Sequence, residues 1–385
     1  MAFLCIEQFE LFPAYICRYF LIYNVEIYQT SKRGYDMQDF FQLDTDEKRS
    51  SLLARARQVA LSAMEQYHLA WEHITFIQLS DSITYKIETS SGEKYLLRIH
   101  ADRCTKEQIR SELILLQFLS QEAGMMVPTG LASKDGDCIL EVATEEGYRS
   151  PYVTIMRWVE GESPSGEMTD SDAYNMGVMA GKLHDAVAQF NPPGHFVRPT
   201  TGAESFREEV ARLETYHDRF LSDAAWGMYR TAADQILASL ADINKNNDNY
   251  GLIHGDLHTG NIVSHDGMPF PIDFGRCSYG YYLYDVASTI LGLYPKHRAM
   301  FMQGYLQVRS LTEEDLQHLE IFFVMVMIGN YAHHAANPAE ISNLIEEQPY
   351  AQAIIRDFLR VEPFLFQEIK PVEIQSGSSN ATIII

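Results

Sequence analysis

Residues 254–261 read HGDLHTGN, and residues 270–275 read FPIDFG. Two aspartates, an asparagine and a histidine thus fall in two tight polar turns, flanked by short apolar runs: YGLI before, IV between, FPI after. Runs of that length and composition read as short strands. The polar residues then stand at strand ends, where a rigid scaffold presents side chains to a ligand. Two aspartates and an asparagine, with no histidine pair spaced for zinc, offer oxygen ligands to a hard cation. Mg2+ takes a few such oxygens and keeps the rest of its shell for water and phosphate.

Outward from these turns, the chain divides by its apolar period. Within residues 44–69, apolar side chains recur at Leu52/Leu53, Ala56, Val59/Ala60 and Ala63/Met64, a helical stripe opened by Asp44 or Thr45 as cap. The runs HITFIQL, SITYKIET and KYLLRIHA are rich in β-branched and aromatic residues and predict a small antiparallel sheet, with a hairpin at Ser91-Gly92. TKEQIRSELILLQFLSQEAG (105–124) reads as a helix stopping at Gly124, and CILEVA and PYVTIMRWV add strands. GESPSGEMTDSD (161–172) is a polar break. Beyond it the pattern is helical: SDAYNMGVMAGKLHDAVAQF, one or two helices within 204–243, and the region from TEEDLQHLEIFFVMVMIGNYAHHAA onward.

These readings predict a two-lobed α+β protein with a ligand cleft between lobes. The expected amino-terminal lobe (37–159) is a small antiparallel sheet with helices. The expected carboxy-terminal lobe (160–370) is mainly helical and holds the two polar turns. Residues 371–385 are expected to be a flexible tail. SKRGYDM (31–37) has the coding look of a purine-rich ribosome-binding tract before a start codon. Met37 is therefore expected as the natural start, with residues 1–36 an over-extended reading frame or a loosely attached extension.

Composition narrows the function classes. The 385 residues are 46% hydrophobic and carry a formal net charge of −22, which disfavours nucleic acid as a partner and leans toward a cationic substrate. Five scattered cysteines, none in a C-x-x-C pair, suit a reducing, cytoplasmic setting with neither a disulfide framework nor a zinc site. No apolar run reaches the roughly 18 residues of a spanning helix, so no membrane partner is expected.

The spacing H-x-D-x-x-x-x-N followed by D-F-G matches the phosphoryl-transfer template of kinases. HGDLHTGNI and IDFG stand in order with YLLRIH (95–100), RSELILLQFL (110–119), MRWVEGE (156–162) and GKLHDA (181–186). Over residues 45 to 365 the chain resembles the aminoglycoside phosphotransferase and choline kinase family, most similar to its homoserine-kinase and stress-response-kinase branch. The resemblance implies a protein-kinase-like fold and transfer of the γ-phosphoryl group of ATP, with Mg2+, to a hydroxyl of a small molecule.

Residue by residue, it makes Asp256 the group that orients the attacking hydroxyl and accepts its proton. Asn261 and Asp273 become the Mg2+ ligands. His254 joins the catalytic set, as a brace for the loop in preference to a chemical role, and Asp285 becomes the buried carboxylate that ties down the loop backbone. Arg98 stands where the template has lysine, with Glu112 as its orienting partner; Lys94 is a competing, solvated cation. Arg157 and Val159, with Trp158 between them, form the hinge that offers backbone groups to adenine. In FFVMVMIGNYAHHAANPAE (322–340), Tyr331, His333 and His334 either line the acceptor pocket or pack in the core.

Three departures from the protein-kinase pattern matter. LSDSITYKI (79–87) has no glycine where a backbone would wrap phosphates, leaving Ser80 and Ser82, through hydroxyls and amides, as substitutes. Gly255 replaces the arginine that reads activation-loop phosphorylation. Only DFGRCSYGYYLYD separates Asp273 from Asp285, too short for a peptide platform. A small acceptor is therefore expected, with a stress-response type Ser/Thr protein kinase and a nucleotide-binding pseudokinase as the alternatives.

Overall fold

A computed structural model describes residues 37–42, 45–162 and 168–373. The expectations for residues 1–36, for Asp44 as a cap and for the tail beyond residue 373 lie outside those residues.

The amino-terminal lobe opens with α1 (Asp46–Met64), capped by the Thr45 side chain, which accepts from Lys48 N. Its sheet is built from β1 (Trp71–Leu79), β2 (Ser82–Thr89), β3 (Lys94–His100), β4 (Leu140–Glu141) and β5 (Tyr152–Arg157), in the order β1-β2-β3-β5-β4 with every pair antiparallel. Successive side chains alternate between faces. Ile83, Tyr85 and Ile87 of β2, with Leu97, Ile99, Val153 and Ile155, form one buried face against Leu52, Ala56, Val59 and Ala60 of α1. The alternate row carries polar groups. Arg98 pairs with Thr84 on one side and Thr154 on the other. That row faces α2 (Lys106–Gln121), which Thr105 and Gln108 open with a reciprocal capping box.

The helical lobe contains α3 (Asp170–Gln189), α4 (Ala203–Tyr216), α5 (Asp223–Asp242), α6 (Tyr282–Leu291), α7 (Pro295–Leu306), α8 (Glu313–His334) and α9 (Ile341–Leu359). α8 is apolar around most of its girth, from Phe322 to Ile328, and runs through the core accordingly. α3 and α7 cross at Gly177 and Gly304; a Cβ at either would collide with the backbone carbonyl of Phe301 or Tyr174. The first residues of the expected tail are attached: Val372 N donates to the Pro349 carbonyl at 2.9 Å.

Four short strands mount the polar turns: β6 (Tyr250–Ile253), β7 (Ile262–His265), β8 (Met268–Pro271) and β9 (Ser278–Tyr281). β7 and β8 form a hairpin through Asp266-Gly267, both at positive φ, 51° and 74°. β6 does not pair with its chain neighbour; it pairs with β9, Ile253 opposite Ser278. This nesting brings the loop between β6 and β7 against the loop between β8 and β9. The three flanking runs are strands as expected, whereas β9, α6 and α7 had no reading from the sequence.

Candidate active site

The loop between β6 and β7 is held from beneath. Asp285, fully buried on α6, accepts from His254 N at 2.7 Å and from Gly255 N at 2.9 Å. Two loop amides thus satisfy the carboxylate's need for donors in the interior. His184, equally buried on α3, reaches the same carboxylate at 3.2 Å and Tyr305 OH at 2.9 Å. Burial lowers the His184 pKa, opposed by the hydrogen bond and charge of Asp285.

Both ring nitrogens of His254 are engaged with backbone: Nε2 donates to the Ile272 carbonyl at 2.9 Å, and Nδ1 accepts from Asp256 N at 3.3 Å. Its ring packs on Phe274, centroids 4.5 Å apart. Gly255 has φ 78°, and a Cβ there would strike the Arg276 carbonyl. The position expected to lack the kinase arginine cannot hold any side chain without displacing the next loop.

Above this base stand the expected residues. Asn261 Nδ2 donates to the Asp256 carbonyl at 3.0 Å and lies 3.4 Å from Asp256 Oδ2, leaving Asn261 Oδ1 for a cation. Asp273 takes a left-handed conformation, φ 62° and ψ 66°, rare for a residue with a side chain and held here between β8 and a single 3-10 turn, Phe274–Arg276. Its Oδ1 is 3.8 Å from Arg98 NH2. Arg98 NH1 meets Glu112 Oε1 at 2.8 Å, both side chains only 4% exposed. Burial alone would lower the Arg98 pKa; Glu112 and then Asp273 outweigh it and raise it. Lys94 instead pairs with Glu160 at 2.8 Å near the surface.

Asp273 is 42% exposed and Asp256 19%, both open to the cleft. No group of three or more His, Cys, Asp or Glu side chains gathers as a metal cage among the described residues. An amide oxygen and a partly exposed carboxylate are nonetheless a donor set that fits Mg2+, which leaves most of its shell to other oxygens. Burial lowers the His258 pKa against the pull of Asp256, and its Nδ1 accepts from Gly260 N at 3.0 Å.

The turn between β1 and β2 carries Ser80, and Ser82 opens β2. Ser80 N is taken up by the Ser82 carbonyl at 2.9 Å, so the Ser80 amide does not point to a phosphate. The tip is Asp81, whose carboxylate holds Arg103 NH2 and Arg276 Nε, each at 2.8 Å. At the hinge, Arg157 N donates to Thr129 O at 2.8 Å and Trp158 N to Lys94 O at 3.2 Å; the Arg157 side chain is exposed and Val159 is buried. Of the α8 residues, Tyr331 points into the core, its OH bonded to Glu347 at 3.1 Å, while His333 Nδ1 lies 3.5 Å from Arg276 NH2.

Sequence reading passed over Asp81, Arg276 and Glu209. Arg276 follows D-F-G directly and Asp81 sits in the turn noted for its missing glycine, so both carried a positional signal. Glu209 of α4 had none. It packs against Gly329 of α8, and burial pushes its carboxyl up to about 7, with Arg212 and Arg276 opposing.

Residues 74–320, well over half the chain, match the model of a phosphotransferase enzyme family, APH. The chain is 24% identical over 319 residues to the amicoumacin kinase of Bacillus subtilis (strain 168), covering 80% of this chain and 82% of that one. Among solved structures it is similar to the amicoumacin kinase hAmiN in complex with AMP-PNP, Ca2+ and Ami (TM-score 0.68, 20% identity, 82% of this chain and 98% of that one). It is also similar to a microcompartment-associated aminopropanol kinase (TM-score 0.68, 22% identity, 79% and 98%). At such identities the structural likeness speaks for the two-lobed fold.

Proposed function

The chain belongs to the phosphotransferase enzyme family, and on that premise we propose that it moves the γ-phosphoryl group of ATP, bound with Mg2+ between the lobes, to a hydroxyl of a small molecule. The observation that carries this reading is the β6–β7 loop fastened by Asp285, with Asp256 and Asn261 on it, next to Asp273 and the buried Arg98–Glu112 pair. Asp256 orients the acceptor hydroxyl and accepts its proton. Asn261 and Asp273 hold the cation, and Arg98, kept in place by Glu112, binds phosphate oxygens with a guanidinium that is always charged. Bound Mg2+ would neutralise charge on the phosphate oxygens. His254 braces the loop, Val159 and the Arg157 backbone border the adenine, and Ser82 borders the phosphates. Positioning and charge neutralisation supply most of the rate.

A small acceptor is favoured by the interval from Asp273 to Asp285. It is filled by the 3-10 turn, β9 and the first residues of α6, with no segment left to form a peptide platform. An amino alcohol, as in the name of the aminopropanol kinase, suits the net charge of −22. A cytoplasmic setting goes with ATP as donor, and among the described residues no helix is long and apolar enough to cross a membrane.

The test is incubation with γ-labelled ATP, Mg2+ and a panel of hydroxyl metabolites that includes aminopropanol. Label in a small molecule supports the reading. Label in protein bands would move the assignment to a protein kinase, and label nowhere, with nucleotide still bound, to a pseudokinase.

A further inference from the structure

The charged tip of the β1–β2 turn crosses the cleft. Asp81 is held from its own lobe by Arg103 and from the opposite loop by Arg276, 195 residues away in sequence. Burial would raise the Asp81 pKa, but Arg276 and then Arg103 overcome it and hold the carboxyl far below the usual range. The same Arg276 Nε lies 3.8 Å from Asp256 Oδ2, and its NH2 lies 3.5 Å from His333 Nδ1. One guanidinium therefore faces the β1–β2 turn, the proposed base and His333 of α8. About a third of its side chain stays exposed, at 36%.

We infer that Arg276 is the cation that meets the transferring phosphoryl group, and that Asp81 positions it and, through it, holds the β1–β2 turn down where a glycine-rich loop is missing. This rests on the phosphoryl-transfer reading above. In the reaction, the bond from the γ-phosphorus to the bridging oxygen breaks and its electron pair leaves with ADP. A bond to the acceptor oxygen forms, and the hydroxyl proton passes to Asp256. A phosphorus in line with a hydroxyl held at Asp256 falls within reach of a guanidinium 3.8 Å from that carboxylate. Charge also calls for it. Asp81, Asp256 and Asp273 present three carboxylates to a polyanionic nucleotide, and Arg98, held by Glu112, stands on the Asp273 side. Arg276 is the guanidinium at the attacking side, and a planar fork can hold two phosphoryl oxygens at once.

The experiment compares wild type with Arg276→Gln, Arg276→Lys, Asp81→Asn and the reversed pair Asp81→Arg/Arg276→Asp. Three quantities are measured: melting temperature, affinity for Mg·ATP, and phosphate release from Mg·ATP with water as acceptor. Arg276→Gln is expected to lose about 100-fold or more in turnover while nucleotide affinity stays within about threefold. Arg276→Lys recovers part of the turnover, and Asp81→Asn loses about tenfold through mispositioning. The reversed pair recovers melting temperature and no turnover.

Turnover by Arg276→Gln within about threefold of wild type would overturn the inference. So would turnover restored by the reversed pair, which would reduce Asp81–Arg276 to a clasp, or a loss confined to nucleotide affinity. Should Arg276→Gln fail to fold, Arg276→Lys decides: unchanged turnover, or a loss seen in affinity alone, counts against the proposal. A wild type that binds Mg·ATP without any turnover sinks the functional reading first, and this inference with it.

Discussion

Asp285 joins its two carboxylate oxygens to consecutive backbone amides, Oδ2 to His254 N at 2.7 Å and Oδ1 to Gly255 N at 2.9 Å. A side chain on α6 thus sets the height of the loop that carries Asp256. Asp285→Ala strands two loop N–H groups, each worth about 1–3 kcal/mol, and so is expected to destabilise the protein by about 2–6 kcal/mol. Asp285→Asn keeps one acceptor oxygen and should fall between wild type and Ala. Urea unfolding of the three proteins checks the order, and turnover should fall in the same order.

Asp256 and Asp273 separate into different kinetic signatures. Asp256→Asn is expected to lower kcat by about 10²–10⁴ and leave Mg·ATP affinity nearly intact, as loss of a proton acceptor does. Asp273→Asn should instead weaken Mg·ATP and raise the Mg2+ concentration needed. Asparagine tolerates the left-handed backbone of residue 273, so that variant keeps its stability, while Asp273→Ala loses about 1–2 kcal/mol to strain. Titration of nucleotide with and without Mg2+ distinguishes them.

Arg98 and Glu112 are a fully desolvated pair. Arg98→Met alone leaves Glu112 buried and unpaired, an expected loss of about 3–5 kcal/mol. The double variant Arg98→Met/Glu112→Leu should recover most of that stability and none of the nucleotide binding. Equal losses in both properties in the double variant would contradict the phosphate-binding role.

Two carboxyls give the pH dependence its sign. Burial pushes Glu209 and Glu347 up to about 7 from the ordinary 4.5. Between those values the folded state keeps protons that the unfolded chain releases, so stability from these groups is full below about 4.5 and is lost as pH rises through about 7. Glu347→Gln, remote from Asp256, should flatten the unfolding free energy between pH 5 and about 7 with turnover unchanged. An unaltered pH profile would remove Glu347 from the account.

Local chemistry in the chain determined a large part of this protein. The hairpin at Ser91-Gly92, the cap at Thr45, the helix stopping near Gly124 and the three strands around the polar turns all follow from period and turn chemistry between near neighbours. Arg98 with Glu112, and Asp256 with Asn261, were legible because their order along the chain matched a known pattern. Other features were set only by packing. β6 skips its neighbour to pair with β9, so which loop faces which is a property of the whole lobe. Glu209 lies against Gly329 with no sequence mark. Asp81 meets Arg276 because the lobes close, bringing opposite charges to 2.8 Å across 195 residues. Period and propensity act over a few residues, whereas a contact between distant segments depends on the three-dimensional path of everything between them, and that path exists only once the core has formed.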